Sequence, residues 1–387
     1  MKYIFYKDEY KYIYLSEFFR DFARALGETF GAVMLYKAGL PIYLILLIYG
    51  VRFLITGLIT PFFITISNKI GLANCILISN IFSVINAYFM LFSDNLYSNI
   101  IIFIITMRLM GLANPVSDAL SSKYVNSNYR GRFNSGIYIS KILGTVFAST
   151  LITWGVVSNN NTILLILITV FFLLQYITVK RIDYKPLNKK SAFIDSFKYL
   201  LKSESKYKVI YALRTNHIIE RLFVPLYLYI LLNDFVLFGT VIIVSLLFQI
   251  ITVSWIGKYT DKNLFKANNL VSGIKVLITG VYLLSKNRVL VSLNKILSDN
   301  FDKVYETSIQ TSIQNIIKKN KESNELLSAV GQMSLCFTEF IIFGILCVVS
   351  IYVKENVFYL IFVLSIISTI FINYYIKWEI NEKRKAR

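Results

Sequence analysis

Histidine occurs once, at His217, and cysteine three times, at Cys75, Cys336 and Cys347, in a chain of 387 residues. One histidine cannot build a histidine metal site. The three cysteines all fall in apolar runs, with neither metal-ligand spacing nor the pattern of a disulfide framework. Charge is scarce as well: 16% of residues are Asp, Glu, Lys or Arg, against about 25% in soluble domains. The chain has no Walker A sequence, no HExxH and no GxSxG, so nothing marks it as a nucleotide hydrolase, a zinc protease or a serine hydrolase. The expectation is therefore no enzyme and no cofactor, and ATP-driven transport would need a second chain. The N-terminal MKYIFYKDEYKY lacks the apolar core and small-residue cleavage site of a secretory signal. Acidic residues are outnumbered, 22 against 41 basic, for a formal charge of +19. In a soluble protein that excess would suggest nucleic acid; here the basic residues sit mostly between apolar runs, and no nucleic-acid partner is expected.

What is abundant is apolar: 56% of the residues are hydrophobic. They gather in runs of about 20, the length that spans a hydrocarbon core as a helix. The reading is an all-α polytopic membrane protein. Helices are expected at residues 12–36, 41–66, 72–93, 97–120, 131–156, 162–180, 208–232, 236–256, 267–286, 289–317, 324–352 and 356–377, with a short surface helix near 195–201. Twelve crossings place 27 basic residues on one side of the membrane and 4 on the other, the remaining ten lying within helices. By the positive-inside rule both termini are cytoplasmic, in the cell (inner) membrane. The polar stretch at 181–207 divides the chain into six-helix halves, 1–180 and 208–387.

Two of the expected helices break the apolar rule. The first contains EFFRDFARALGE, whose Glu17, Arg20, Asp21, Arg24 and Glu28 are offset by three, four, seven and eleven residues and so share one helical stripe. The tenth carries Lys295, Asp299, Asp302, Lys303 and Glu306 at offsets of four, seven, eight and eleven. A charge facing lipid costs roughly 2.5–3.5 kcal/mol even on the milder scales. Both stripes must therefore face protein or water, with Arg24 and Glu28 expected to meet Asp302 and Lys303 across a shared lumen.

Further intramembrane charges follow on other helices: Arg108 and Asp118 on the fourth, Lys141 on the fifth, Arg214, His217, Glu220 and Arg221 on the seventh, and Glu339 on the eleventh. Tyr138 and Thr145 share the face of Lys141; Ser245, Gln249 and Thr252 line one face of the eighth helix, and Gln332 precedes Glu339 on the eleventh. Helices three, six and twelve read as almost purely apolar, hence peripheral. Acids and bases balance over this set, which suits mutual pairing and a strongly polar, charged or zwitterionic ligand. A buried carboxylate without a full partner suits a proton carrier; Glu28 and Asp302 are the first candidates and Glu339 the third.

The sequence after helix two, ITISNKIG, the sequence after helix eight, GKYTDK, and YRGRFNSG at the start of helix five resemble loop motifs of the major facilitator superfamily. Gly257, Asp261 and Lys262 match the superfamily pattern. Asn68, Lys69 and Gly71 match it in part, with Asn68 in place of the acid. Such a resemblance implies two six-helix bundles, with helices one, four, seven and ten around a central cavity and the two loops gating it. It implies a monomeric secondary transporter that moves a small solute by alternating access, with a coupling ion, expected to be the proton, and membrane lipids as surroundings. The competing readings are a lipid or lipid-headgroup flippase of the same fold and a non-transporting receptor or assembly subunit.

Overall fold

A computed structural model describes residues 8–28, 31–92, 130–158, 160–182, 193–202, 207–319 and 324–385, together with 100, 101 and 104. Among the described residues every element is helical: α1 Asp8–Glu28, α2 Gly31–Lys37, α3 Ile42–Ile70, α4 Leu72–Phe92, α5 Arg130–Ser158, α6 Asn161–Val179, α7 Phe193–Lys202, α8 Tyr207–Leu232, α9 Phe235–Leu284, α10 Arg288–Lys319, α11 Asn324–Val353 and α12 Val357–Lys385. The expected helix at 97–120 lies outside the described residues apart from 100, 101 and 104.

The turns follow from local chemistry. Gly71 adopts φ +83°, which only glycine does without cost, and it is the single residue between the end of α3 and the start of α4. Gly71 of the first loop motif thus has a plain backbone role. Between α8 and α9, Asn233 takes the left-handed conformation at φ 53°, and the Asp234 carboxylate accepts from the amides of Val236 and Leu237 at 2.8 and 3.0 Å. Asn287 caps α10 in the same way through Val289 and Leu290.

Burial runs inside out. On α10, Leu290, Leu293 and Leu297 are exposed while Asn294, Lys295, Ser298 and Asp302 are buried. On α9, Leu247, Phe248 and Ile251 are exposed while Ser245 and Gln249 are buried. A helix in water does the reverse, and apolar faces of this extent are not left open on soluble monomers. Exposed hydroxyls return to their own backbone: Thr150 donates to the Val146 carbonyl at 2.9 Å, Thr240 to Val236 at 2.9 Å and Ser292 to Arg288 at 2.8 Å. That is the partner left to them where water is absent. Five stretches, Ile42–Phe62, Arg132–Trp154, Asn161–Val179, Phe235–Val253 and Ala329–Ile376, are long and apolar enough to cross a membrane, and the last spans both α11 and α12. The chain is an integral, multi-pass membrane protein.

Two expectations are revised. The segment expected as a loop at 257–266, which carries Gly257, Asp261 and Lys262, is helical in its backbone, so α9 runs for 50 residues. It is not straight. Ser245 and Lys275 would lie about 45 Å apart on a straight helix. Yet Ser245 bonds Asp299 at 2.6 Å and Lys275 bonds Asp302 at 2.5 Å, and these two carboxylates are less than one turn apart. The helical run therefore doubles back and packs both of its arms on α10. The second revision concerns the helices expected to be peripheral. Their outward faces are apolar, but α4 buries Asn80 and Asn86, α6 buries Gln175 and α12 buries Ser365, Ser368 and Thr369.

Helices before and after the 181–207 stretch share one core. α3 packs along α11 and α5 along α9. A Cβ added at Gly50 would stand 3.1 Å from that of Phe343, and one at Gly57 would stand 3.3 Å from that of Cys336, so the two backbones approach closely over two turns. Rings seal this seam: Tyr49 lies 5.8 Å from Phe223 and 6.1 Å from Phe343, and Phe53 lies 5.6 Å from Phe343. Asn134 donates to Thr311 at 3.1 Å, tying α5 to α10. The short amphipathic α7 packs on both α3 and α11.

Candidate functional site: charge networks inside the bundle

The α1 stripe closes on α5. Glu17, buried, pairs with Arg20 and with the Lys141 ammonium at 3.3 Å, and Arg20 contacts Asp21 at 3.4 Å. The helices can meet because Gly144 presents no side chain: a Cβ there would lie 2.3 Å from the Phe18 carbonyl oxygen. Phe22 stacks on Phe171 of α6 at 3.7 Å, fixing the opposite face of α1. The described part of the α1 stripe, Glu17, Arg20 and Asp21, thus finds a counter-charge on α5. Arg108 and Asp118 lie outside the described residues, as do the side chains of Arg24, Glu28, Asn68, His217, Asp261, Lys262 and Lys303. Lys69 is exposed at the end of α3.

The deepest network centres on a residue the sequence reading did not single out. Lys275 on α9 is fully buried, with its ammonium 2.5 Å from Asp302 of α10 and 3.0 Å from Glu220 of α8. Glu220 also accepts from Thr279 at 3.0 Å and from Ser365 of α12. The Lys275 ammonium stands 5.5 Å from the Tyr305 ring centre. One cation and two hydroxyl donors compensate two carboxylates, which is the condition under which buried charge is tolerated. Four helices thereby meet at one point. Asp302, expected to face Glu28, pairs with Lys275; the side chain of Glu28 lies outside the described residues.

Next along α10, Lys295 pairs with Asp299 at 2.5 Å, and Asp299 accepts from Ser245 at 2.6 Å. Thr252 donates to Asn300 at 3.0 Å. Further along, Glu306 receives Arg221 at 3.3 Å and Arg214 at 4.0 Å. Glu339 on α11 is different in kind. It has no exposed surface, and among the described residues neither carboxylate oxygen has a hydrogen-bond partner. The positive charges whose fields act on it are those of Arg52, Arg214 and Arg221. Arg52, on α3, is a second residue missed by the sequence reading; it lies over Tyr49 and Phe53 at 5.0 and 5.3 Å. A signal for both missed residues existed: they belong to the ten basic residues left inside helices once the loop charges are counted.

No protein-family model and no curated protein matches the chain by sequence. Solved structures do match it by shape. A bacterial homologue of the iron transporter ferroportin, in its outward-facing state, aligns with TM-score 0.66 and 13% identity over 96% of this chain and 99% of that one. The human organic anion transporter MFSD10 aligns with TM-score 0.67 and 11% identity over 95% of this chain and 98% of that one. Both are transporters of the major facilitator superfamily. At these identities the likeness speaks for the fold, and it extends over nearly the whole of each chain: this protein has the fold of the major facilitator superfamily transporters.

Proposed function

We propose that the chain is a secondary active transporter that carries a polar, charged or zwitterionic small solute by alternating access, coupled to protons. The observation that carries this reading is the inside-out bundle itself: ion pairs and carboxylates on α1, α5, α8, α9, α10 and α11 turned inward beneath an apolar exterior. Intramembrane charge is costly, and it marks ion and substrate pathways. The transporter fold supports the same reading. One neighbour is a homologue of an iron transporter and the other an organic anion transporter, so the cargo here is argued from the site. In this proposal residues 1–180 and 208–387 are two six-helix bundles that rock about the seam between α3 and α11 and between α5 and α9, in twelve crossings with both termini cytoplasmic in the cell membrane. Asp261 and Lys262, with Asn68 and Lys69, steady one of the two states. Glu339 is the proton carrier, because Asp302 is occupied by Lys275 while Glu339 has no hydrogen-bonded partner among the described residues.

Two-sided labelling tests alternating access. Ile218 is partly buried on α8 and shares a helical stripe with Arg214 and Arg221. With Cys75, Cys336 and Cys347 replaced by serine, Ile218→Cys is expected to react with a membrane-impermeant maleimide from either face, in proportions that shift with pH. Labelling from one face only, under every condition, would contradict the rocking mechanism.

A further inference from the structure

Glu339 and its three arginines deepen this reading to a substrate class. Contacts between the helices set the place. Arg52 lies over Tyr49 and Phe53, whose rings stand 6.1 and 5.6 Å from Phe343, one turn beyond Glu339. Thr215 donates to the Leu335 carbonyl at 3.4 Å and Phe223 lies 5.7 Å from Phe343, so the stretch of α8 from Arg214 to Arg221 runs alongside Glu339. Arg214 and Arg221 approach from α8 and are braced by Glu306 of α10. The charged groups facing Glu339 from the described residues are Arg52 of α3 and Arg214 and Arg221 of α8, with Glu306 of α10 behind the arginines. The side chain of His217, also on α8, lies outside them.

With both glutamates ionised, these three arginines and two glutamates leave one positive charge; with Glu339 protonated they leave two. A buried carboxylate without a hydrogen bond loses its hydration and receives no directed donor in exchange. Guanidinium groups, by contrast, present forked N–H donors suited to planar or tetrahedral oxyanions. Glu339 supplies a negative charge beside three such groups without a hydrogen bond of its own among the described residues.

We infer that Arg52, Arg214 and Arg221 form the recognition site for a carboxylate- or phosphate-bearing small solute, with Glu339 as the internal anion that the ligand replaces once Glu339 takes up a proton. This rests on the transporter reading for its purpose but not for its test. Proton uptake and anion binding are then linked: the anion binds more tightly as pH falls, and it carries a proton with it. Arg52 belongs to the N-terminal helices and Arg214 and Arg221 to the C-terminal ones, so a bound anion bridges the seam.

The test is binding to the purified full-length chain in detergent, read as ligand-dependent thermal stabilisation at pH 5.5 and pH 8. The probes are sodium benzoate, acetate, sulfate and phosphate, with methylammonium chloride as the cationic control and dioctanoyl phosphatidate as the lipid-headgroup control. At least one small anion is expected to bind, at least tenfold more tightly at pH 5.5 than at pH 8. Glu339→Gln should bind it tightly at both pH values and so separate titration of the site from titration of the probe. Arg221→Gln, at a side chain 41% exposed and thus tolerant of change, should weaken binding at least tenfold. Arg52→Gln should do the same. The inference is overturned if no small anion stabilises the protein at either pH, if methylammonium does so equally, if phosphatidate alone binds, or if Arg221→Gln and Arg52→Gln bind as the wild type does. Anion binding without any solute movement would instead sink the transporter reading and leave the site standing.

Discussion

Lys275→Ala is expected to cost the folded state about 3–5 kcal/mol, the range for removing one partner of a buried ion pair. The ammonium is enclosed by Asp302 and Glu220, and its loss leaves two buried carboxylates without their cation, Glu220 keeping the hydroxyls of Thr279 and Ser365. Because α8, α9, α10 and α12 meet there, the damage is not confined to one helix. The measurement is the yield of monodisperse protein in detergent and its thermal midpoint. The controlling variant is the neutral triple exchange Lys275→Met, Glu220→Gln, Asp302→Asn, which removes all three charges while keeping much of the volume. It should recover most of the lost stability, since replacing a whole buried network is far less costly than breaking it. A single Lys275→Ala protein as stable as the wild type would mean that the network contributes nothing to the fold.

The second large effect falls on coupling. Glu339→Gln keeps the shape of the side chain and removes its titration. Solute uptake driven by an inward proton gradient is expected to fall at least tenfold, while exchange of labelled for unlabelled solute at equal concentrations on both sides persists. The folding of Glu339→Gln is measured first, since the exchange also removes the negative charge beside Arg52, Arg214 and Arg221. Gradient-driven uptake at the wild-type rate by a well-folded Glu339→Gln protein would take the proton from this residue and return the role to Glu28.

Apolar length made most of the helices legible in the sequence. The expected 131–156, 162–180, 208–232 and 289–317 lie within a few residues of α5, α6, α8 and α10. For α10 the loop charges, not hydropathy, carry the expectation of a crossing, and its buried polar face with leucines outside is the physical reason hydropathy alone passes over it. The stripes at Glu17–Arg20–Asp21 and Lys295–Asp299 were legible because their members sit three or four residues apart. Partners distant in sequence were not. Lys275 stands alone in LVSGIKVLITG, and nothing local says that Glu220 and Asp302 await it. Arg52 is equally isolated, one cation in an apolar run on α3. The doubling back of α9 was legible as the expected loop at 257–266 between two apolar runs; that its backbone stays helical was not, although those residues contain no proline to end the helix.

Uptake measured in proteoliposomes of purified protein tests the central claim most directly. With a panel of radiolabelled carboxylate, phosphate-bearing, zwitterionic and cationic solutes, at least one polar solute is expected to accumulate above its equilibrium level under an inward proton gradient. That accumulation should collapse when a protonophore dissipates the gradient. Failure of every charged or zwitterionic solute to enter faster than into protein-free vesicles, with or without the gradient, would contradict the account.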